Sequence, residues 1–231
     1  MPEAGVEPAR PQGAPSPQDG ASASSATPAT LYYTTAMEKL PRLYAITDRR
    51  KYGRDFLNTL ERVLEGGVRM VQLREKDLGG RELYRLAEDV RKLTERYGAL
   101  LFINERFDVA VAVGADGVHL PERSFPPSVI KKLFPHLIVG FSAHDLSGAE
   151  YAQREGADFI TFGPVFKTSS HPEVRPLGAG SLKEVCKKVS VPVFALGGVT
   201  WERIKLCYKN GAYGVAGITM FLRYEDAGSH P

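Results

Sequence analysis

The sequence predicts an α/β protein, a (β/α)8 TIM barrel with a truncated or short final helix. Three observations predict it. Eight short apolar runs alternate with longer amphipathic segments from residue 37 onward, which is the pattern of repeated βα units. Glycine ends helical segments ahead of apolar strands in Glu65-Gly-Gly, Gly114-Ala-Asp-Gly, Gly156-Ala-Asp and Gly211-Ala-Tyr-Gly, where it supplies the left-handed conformation that the turn needs. Polar residues with no use in a core follow one strand after another, as they do at the mouth of a barrel. A doubly wound open sheet is the competing arrangement, but no G-x-G-x-x-G follows the first strand.

The strands are predicted over Leu43 to Ile46, Met70 to Leu73, Leu100 to Ile103, Gly117 to His119, Ile138 to Phe141, Phe159 to Phe162, Val193 to Leu196 and Gly214 to Ala216. Helices are predicted between them over Arg54 to Glu65, Gly80 to Tyr97, Phe107 to Val113, Pro126 to Leu133, Ser147 to Glu155, Ser181 to Lys188 and Thr200 to Lys209. Only Ile218 to Pro231 follow the eighth strand, which is too little for a full closing helix. Apolar surface beside the first and seventh helices would then be left uncovered, and a homodimer contact is expected there.

A chain of 231 residues with 43% hydrophobic content can build one sizeable core. Residues 37–231 are assigned to the barrel. Residues 1–36, rich in Pro, Ala, Ser and Gly, cannot bury enough surface to offset their ordering entropy and are expected to be disordered. Gly5-Val-Glu-Pro-Ala-Arg10 also resembles translation through an upstream transfer-RNA gene, which makes Met37 the expected start. A flexible tail or a transit peptide are the alternatives, and the scarcity of arginine speaks against the second.

A net charge of +3 gives no reason to expect a nucleic-acid or membrane partner. No apolar run reaches the roughly 20 residues of a membrane helix, and no secretory signal is visible, so a soluble cytoplasmic protein is expected. Cys186 and Cys207 lack ligand-spaced neighbours and read as reduced core thiols.

The chemistry gathers after the strands. Gln72-Leu-Arg-Glu-Lys76 places an amide, a guanidinium and an ammonium on one side of an extended segment. Unpaired charges are costly in a core but suit a diphosphate, so Gln72, Arg74 and Lys76 read as an anion clamp. The alternative is a surface patch paired with Glu75 or Asp77. Gly197-Gly198 before a helix, together with Gly217, offers backbone N–H groups for a monophosphate, or else merely relieves crowding at a turn. Asn104-Glu105 could give oxygen ligands to Mg2+, although such a pair is more often a helix cap. Ser142-Ala-His144 presents two proton-capable side chains after the fifth strand, and a strand-end histidine is also commonly structural. His119 reads as a packing residue. The loop Lys167-Thr-Ser-Ser-His171 is either a substrate lid or solvated.

Taken together, these residues resemble the thiamine phosphate synthase and TenI superfamily from about Leu43 to Met220. The motifs are Leu43-Tyr-Ala-Ile-Thr-Asp48, Val71-Gln-Leu-Arg-Glu-Lys76, Phe102-Ile-Asn-Glu105, Gly114-Ala-Asp-Gly-Val-His-Leu120, Gly140-Phe-Ser-Ala-His144, Gly163-Pro-Val-Phe166 and Ala195-Leu-Gly-Gly198. Thiamine phosphate synthases join an aminopyrimidine methyl diphosphate to a thiazole phosphate with release of diphosphate. TenI-type relatives isomerise a carboxythiazole phosphate. The resemblance implies that Gln72, Arg74 and Lys76 hold pyrimidine and diphosphate, that Asn104 and Ser142 are further contacts, and that Thr168 matches the first threonine of a Thr-x-Thr-Lys loop.

Three positions depart from the synthase pattern. Glu105 stands for a Mg2+-binding Asp, Ser124 for a second Asp ligand, and Ser170-His171 for Thr-Lys. Pro121-Glu-Arg-Ser-Phe125 is similar to the TenI version of its segment. A tautomerase has no diphosphate to hold, so the intact clamp favours the synthase, with Arg74, Lys76, Ser142 and His144 as the catalytic candidates and Glu105 as the metal ligand. The alternatives are a tautomerase with His144 as proton shuttle and no need of Mg2+, and a non-catalytic paralogue that binds thiazole phosphate.

Overall fold

In a computed structural model, residues 40–169 and 172–222 are described; the expectations for residues 1–36, Ser170 and His171 lie outside them. Eight strands, β1 (Leu43–Ile46), β2 (Met70–Leu73), β3 (Leu100–Asn104), β4 (Gly117–Leu120), β5 (Ile138–Ala143), β6 (Phe159–Phe162), β7 (Val193–Leu196) and β8 (Gly214–Gly217), pair in parallel in sequence order. β8 returns to β1 through Leu43↔Val215 and Tyr44↔Ala216, which closes the ring. The open-sheet alternative is thereby excluded.

The helices are α1 (Arg49–Tyr52), α2 (Phe56–Glu65), α3 (Gly80–Arg96), α4 (Phe107–Ala112), α5 (Pro127–Leu133), α6 (Leu146–Arg154), α7 (Gly178–Lys188) and α8 (Trp201–Lys209). The helix predicted over Arg54 to Glu65 is present as α2, and a short helix that was not predicted, α1, precedes it. Asp48 caps α1 by accepting from Arg50 N at 3.1 Å, and α1 stops at Gly53, whose φ is 89°. The helix-ending glycines behave as their pattern predicts: Gly67, Gly114, Gly156 and Gly211 all have positive φ. After β8 the described chain makes only a short 3-10 turn at residues 220–222.

Alternation along the strands sorts the core into two layers. Ala45, Val71, Leu101, Ile103, Val118, Val139, Ile160, Ala195 and Val215 face the helices, where they meet the apolar stripes of the helices, such as Leu83, Ala87 and Val90 of α3. Their neighbours Tyr44, Met70, Phe102, Ile138, Phe159 and Phe194 fill the barrel interior. The rings fit because inward glycines make room for them. A Cβ on Gly117 would lie 2.6 Å from the Phe102 ring, and one on Gly140 would lie 2.3 Å from Phe159. This aromatic plug closes the barrel beneath the strand ends, so the ring is a floored cup rather than a pore.

The exposed large apolar side chains do not gather beside the first and seventh helices, where a dimer contact was expected. Val111, Phe125, Val129 and Leu133 place most of them on α4, α5 and the approach to α5, with Leu206 alone on α8. No described helix is long and apolar enough to cross a membrane. Cys186 and Cys207 are free thiols, and burial pushes the Cys186 thiol up to about 11.

Candidate functional site

A cavity of about 710 Å3 opens at the C-terminal ends of the strands. It takes up Gln72, Arg74 and Lys76 from the β2 end, Asn104 from β3, Ser142 and His144 from β5, Thr168 from the loop after β6, Gly197 and Gly198 after β7, and Gly217 from β8. The cationic trio and the paired glycines therefore share one chamber. Glu105 is not among its lining residues; it is exposed, with φ of 63°, yet it is close enough to Lys76 for its charge to raise that ammonium's pKa.

The trio faces one way for a reason that alternation alone does not supply. β2 ends at Leu73, and the next residues are held by side chains from the β1 loop. Thr47 donates from Oγ1 to Glu75 Oε1 at 2.6 Å and accepts from Arg74 N at 3.0 Å. Arg49 N donates to Glu75 Oε2 at 3.1 Å, and Arg49 Nε lies 3.3 Å from the same oxygen. Glu75 is thus turned inward and buried, and burial, ahead of these bonds, raises its pKa. Asp77 is occupied by Arg49 and Arg50.

Arg74 and Lys76 are consequently left without an ion pair among the described residues, against the surface-patch alternative. The neighbouring Arg74 charge, ahead of burial, lowers the Lys76 pKa. Two adjacent cations that repel each other at a cavity mouth are an arrangement that a multiply charged anion relieves. The cavity as a whole is lined by Lys51, Arg74, Lys76, Lys167 and Arg203 against Asp48 and Glu122.

On the opposite wall, Gly197 and Gly198 have φ of 87° and 63°. A Cβ on Gly198 would lie 2.3 Å from Lys167 O, and one on Gly197 2.5 Å from Pro164 Cβ. Crowding therefore does require glycine here, and the same compact turn brings backbone to the cavity ahead of α8. Arg203 of α8 donates to Gly198 O at 2.7 Å and lies over the Phe166 ring at 4.9 Å, bracing the turn. Within the described residues, Gly217 leads to the 3-10 turn at residues 220–222.

Asn104 is the last residue of β3 and does not cap a helix; the cap position of α4 belongs to Arg106. His144 donates from Nδ1 to Gly163 O at 2.6 Å, which leaves Nε2 as its lone-pair nitrogen. His119 packs against Tyr44 and Phe159 as expected, but it also lines the cavity floor and bonds to Ser142. Asp48, whose place after the first strand the sequence marks, lines the cavity too, as do Thr161 and Arg203, which were not singled out from the sequence. Thr161 lies within β6 and Arg203 within α8, so neither carries the signal of a polar residue following a strand.

Among the described residues no group of three or more His, Cys, Asp or Glu could hold a metal ion. Mg2+ does not require one, because it commonly binds through one or two carboxylates, several waters and substrate phosphates. Glu105 beside Lys76 suits a site completed by substrate. Ser124 Oγ is buried without a hydrogen-bond partner among the described residues, and the carboxylate of its segment that lines the cavity is Glu122.

Comparison with known proteins agrees with this geometry. Residues 43–221 match the family described as thiamine monophosphate synthase. A protein of Aquifex aeolicus (strain VF5), named provisionally as a second thiamine-phosphate synthase, is 71% identical over 80% of this chain and 99% of its own length. The thiamine-phosphate synthase of Pyrococcus horikoshii is 39% identical over 82% of this chain and 90% of its own. Among solved structures, thiamine phosphate pyrophosphorylase from Pyrococcus furiosus superposes with a TM-score of 0.72 at 35% identity, covering 81% of this chain and 97% of that one. The chain belongs to the thiamine monophosphate synthase family.

Proposed function

We propose that the protein is a thiamine-phosphate synthase, a transferase that joins an aminopyrimidine methyl diphosphate to a thiazole phosphate. The observation that carries this reading is that Arg74 and Lys76, without an ion pair among the described residues, share a cavity with the Gly197-Gly198 turn. One wall suits a diphosphate and the other a monophosphate, so two phosphorylated substrates can meet between them.

In this mechanism the bond from the pyrimidine methylene to the diphosphate oxygen breaks, and the leaving group takes the electron pair. The thiazole nitrogen forms the new bond to that carbon. Arg74 and Lys76 stabilise the charge that grows on the departing diphosphate. The Gly197-Gly198 and Gly217 backbone holds the thiazole phosphate so that its nitrogen faces the reacting carbon, replacing a bimolecular encounter by a positioned one. Asn104, Gln72 and Ser142 orient the pyrimidine, and Thr168 contacts the diphosphate. Glu105 would hold Mg2+, which when bound neutralises charge on diphosphate oxygens.

The purified protein, given both substrates and Mg2+, should release diphosphate and form thiamine phosphate; no release while a control synthase turns over rejects the assignment. One observation favours a second reading. The lone pair left on His144 Nε2 suits a proton shuttle, so isomerisation of a carboxythiazole phosphate, abolished in His144→Ala, would identify a tautomerase instead. The apolar face on α4 and α5 is our proposed homodimer contact, checked by sedimentation, and the substrates of this pathway make the cytoplasm its proposed location.

A further inference from the structure

The side chains at the cavity floor form one hydrogen-bonded chain whose direction is set at its buried end. Gln72 Nε2 donates to the Tyr44 hydroxyl at 3.2 Å. A phenol has a single proton, and with its oxygen already accepting, that proton points to the other neighbour, His119 Nδ1, at 3.3 Å. A neutral imidazole that accepts at Nδ1 carries its hydrogen on Nε2. The ring is kept neutral by burial, being 2% exposed, and its pKa is lowered to about 3.

His119 Nε2 lies 3.0 Å from Ser142 Oγ and 3.2 Å from Thr161 Oγ1, and Thr161 Oγ1 in turn donates to Ser142 Oγ at 3.3 Å. With the single Nε2 hydrogen on the nearer oxygen, Ser142 Oγ, and the Thr161 hydroxyl donating to the same atom, Ser142 accepts twice. Its own hydrogen has no acceptor among the described residues and turns toward the cavity that Ser142 lines.

We infer that Tyr44, His119 and Thr161 are positioning residues that hold Ser142 as a one-way hydrogen-bond donor to an acceptor atom of the pyrimidine substrate. This rests on the transferase reading above. The chain starts at Gln72, on the same strand end as Arg74 and Lys76, so the donor serves the substrate that carries the diphosphate. His119 transfers no proton; it acts as a fixed donor, and its neutrality is what keeps the direction single. A protonated ring would donate from both nitrogens and force Tyr44 to reverse.

The tautomer of His119 is readable by 15N NMR of the full chain labelled at histidine. Wild type should show hydrogen on Nε2. Tyr44→Phe keeps the ring packing against Phe102, Phe159 and Phe194 but removes the donor to Nδ1, so its spectrum should show mixed tautomers. Its kcat should fall about tenfold, the scale of one directed hydrogen bond, with KM for thiazole phosphate unchanged. In a Ser142→Ala background the same change should alter kcat less than about twofold, because the chain acts through Ser142. Thr161→Val, which removes the second donor to Ser142, should show the same dependence and serves if Tyr44→Phe does not fold. Hydrogen on Nδ1 in wild type overturns the inference, as does a penalty that persists in full without Ser142. Absence of diphosphate release by wild type would instead reject the transferase reading, and the tautomer would still be measurable.

Discussion

Lowering the pH from 7.5 to 5 should cost the protein about 2 kcal/mol of folding stability at a single buried ring, that of His119. Burial, followed by the nearby Arg74 charge, lowers this imidazole from 6.5 to about 3. The unfolded chain then takes up a proton in a range where the folded chain does not, so the contribution is complete above 6.5 and is lost as pH falls toward 3. With 1.36 kcal/mol per pKa unit, the difference is about 0.1 kcal/mol at pH 7.5, about 2 at pH 5 and about 5 once both states are protonated. Glu75 works in the other direction, because its raised pKa makes folding less favourable as pH climbs above 4.5. Comparison with His119→Gln cancels that background. The assay is urea unfolding of both proteins at the two pH values. The variant starts less stable, having lost ring packing, but wild type should lose about 2 kcal/mol more than it does across the window. Equal losses would show that the folded protein does protonate this ring, and the single direction of the chain through Ser142 would fall with it.

Three further outcomes follow from the site geometry. Arg74→Ala should lower the rate of diphosphate release about a hundredfold, since it removes a charge-assisted contact to the leaving group, while Arg74→Lys recovers part of it; steady-state kinetics at fixed ionic strength checks both. Gly198→Ala places a Cβ 2.3 Å from Lys167 O at a φ of 63°, so thermal unfolding should show a loss above about 1 kcal/mol and KM for thiazole phosphate should rise. Thr47→Val removes the hydroxyl that joins Arg74 N to Glu75; leaving both groups unsatisfied should cost about 1–3 kcal/mol in urea unfolding.

The barrel was legible because its signals are local and repeated. A glycine after a helix and an apolar run after the glycine need no knowledge of the rest of the chain, and four of the eight strands have the bounds that the sequence predicts. α1 was not legible, since its four residues Arg49–Tyr52 carry no apolar period and depend on the Asp48 cap. The cavity positions of Gln72, Arg74, Lys76, Asn104, Ser142, His144, Gly197 and Gly198 were legible as polar or glycine positions at strand ends. The hydrogen bonding of His119 was not. Its partners Tyr44, Ser142 and Thr161 come from three other strands, and only closure of the ring brings them within reach.

Glu75 shows how far a motif can be read before the fold decides its meaning. In Arg74-Glu75-Lys76 the carboxylate sits in sequence between two cations it could neutralise, and local charge counting makes the segment nearly self-compensating. The fold prevents this. Thr47 and Arg49 occupy both Glu75 oxygens, and Arg49 and Arg50 occupy Asp77. The acids of the motif are thus satisfied by β1-side groups, and the repulsion between Arg74 and Lys76 is left for a ligand to relieve. It follows that the β1 loop controls the charge of the wall that carries Arg74 and Lys76. Loosening Glu75 from Thr47 would let its carboxylate turn toward the cations, so Thr47→Val should weaken diphosphate-bearing substrate more than thiazole phosphate. An equal rise in both KM values would mean that Glu75 stays in place and that the loop contributes stability alone.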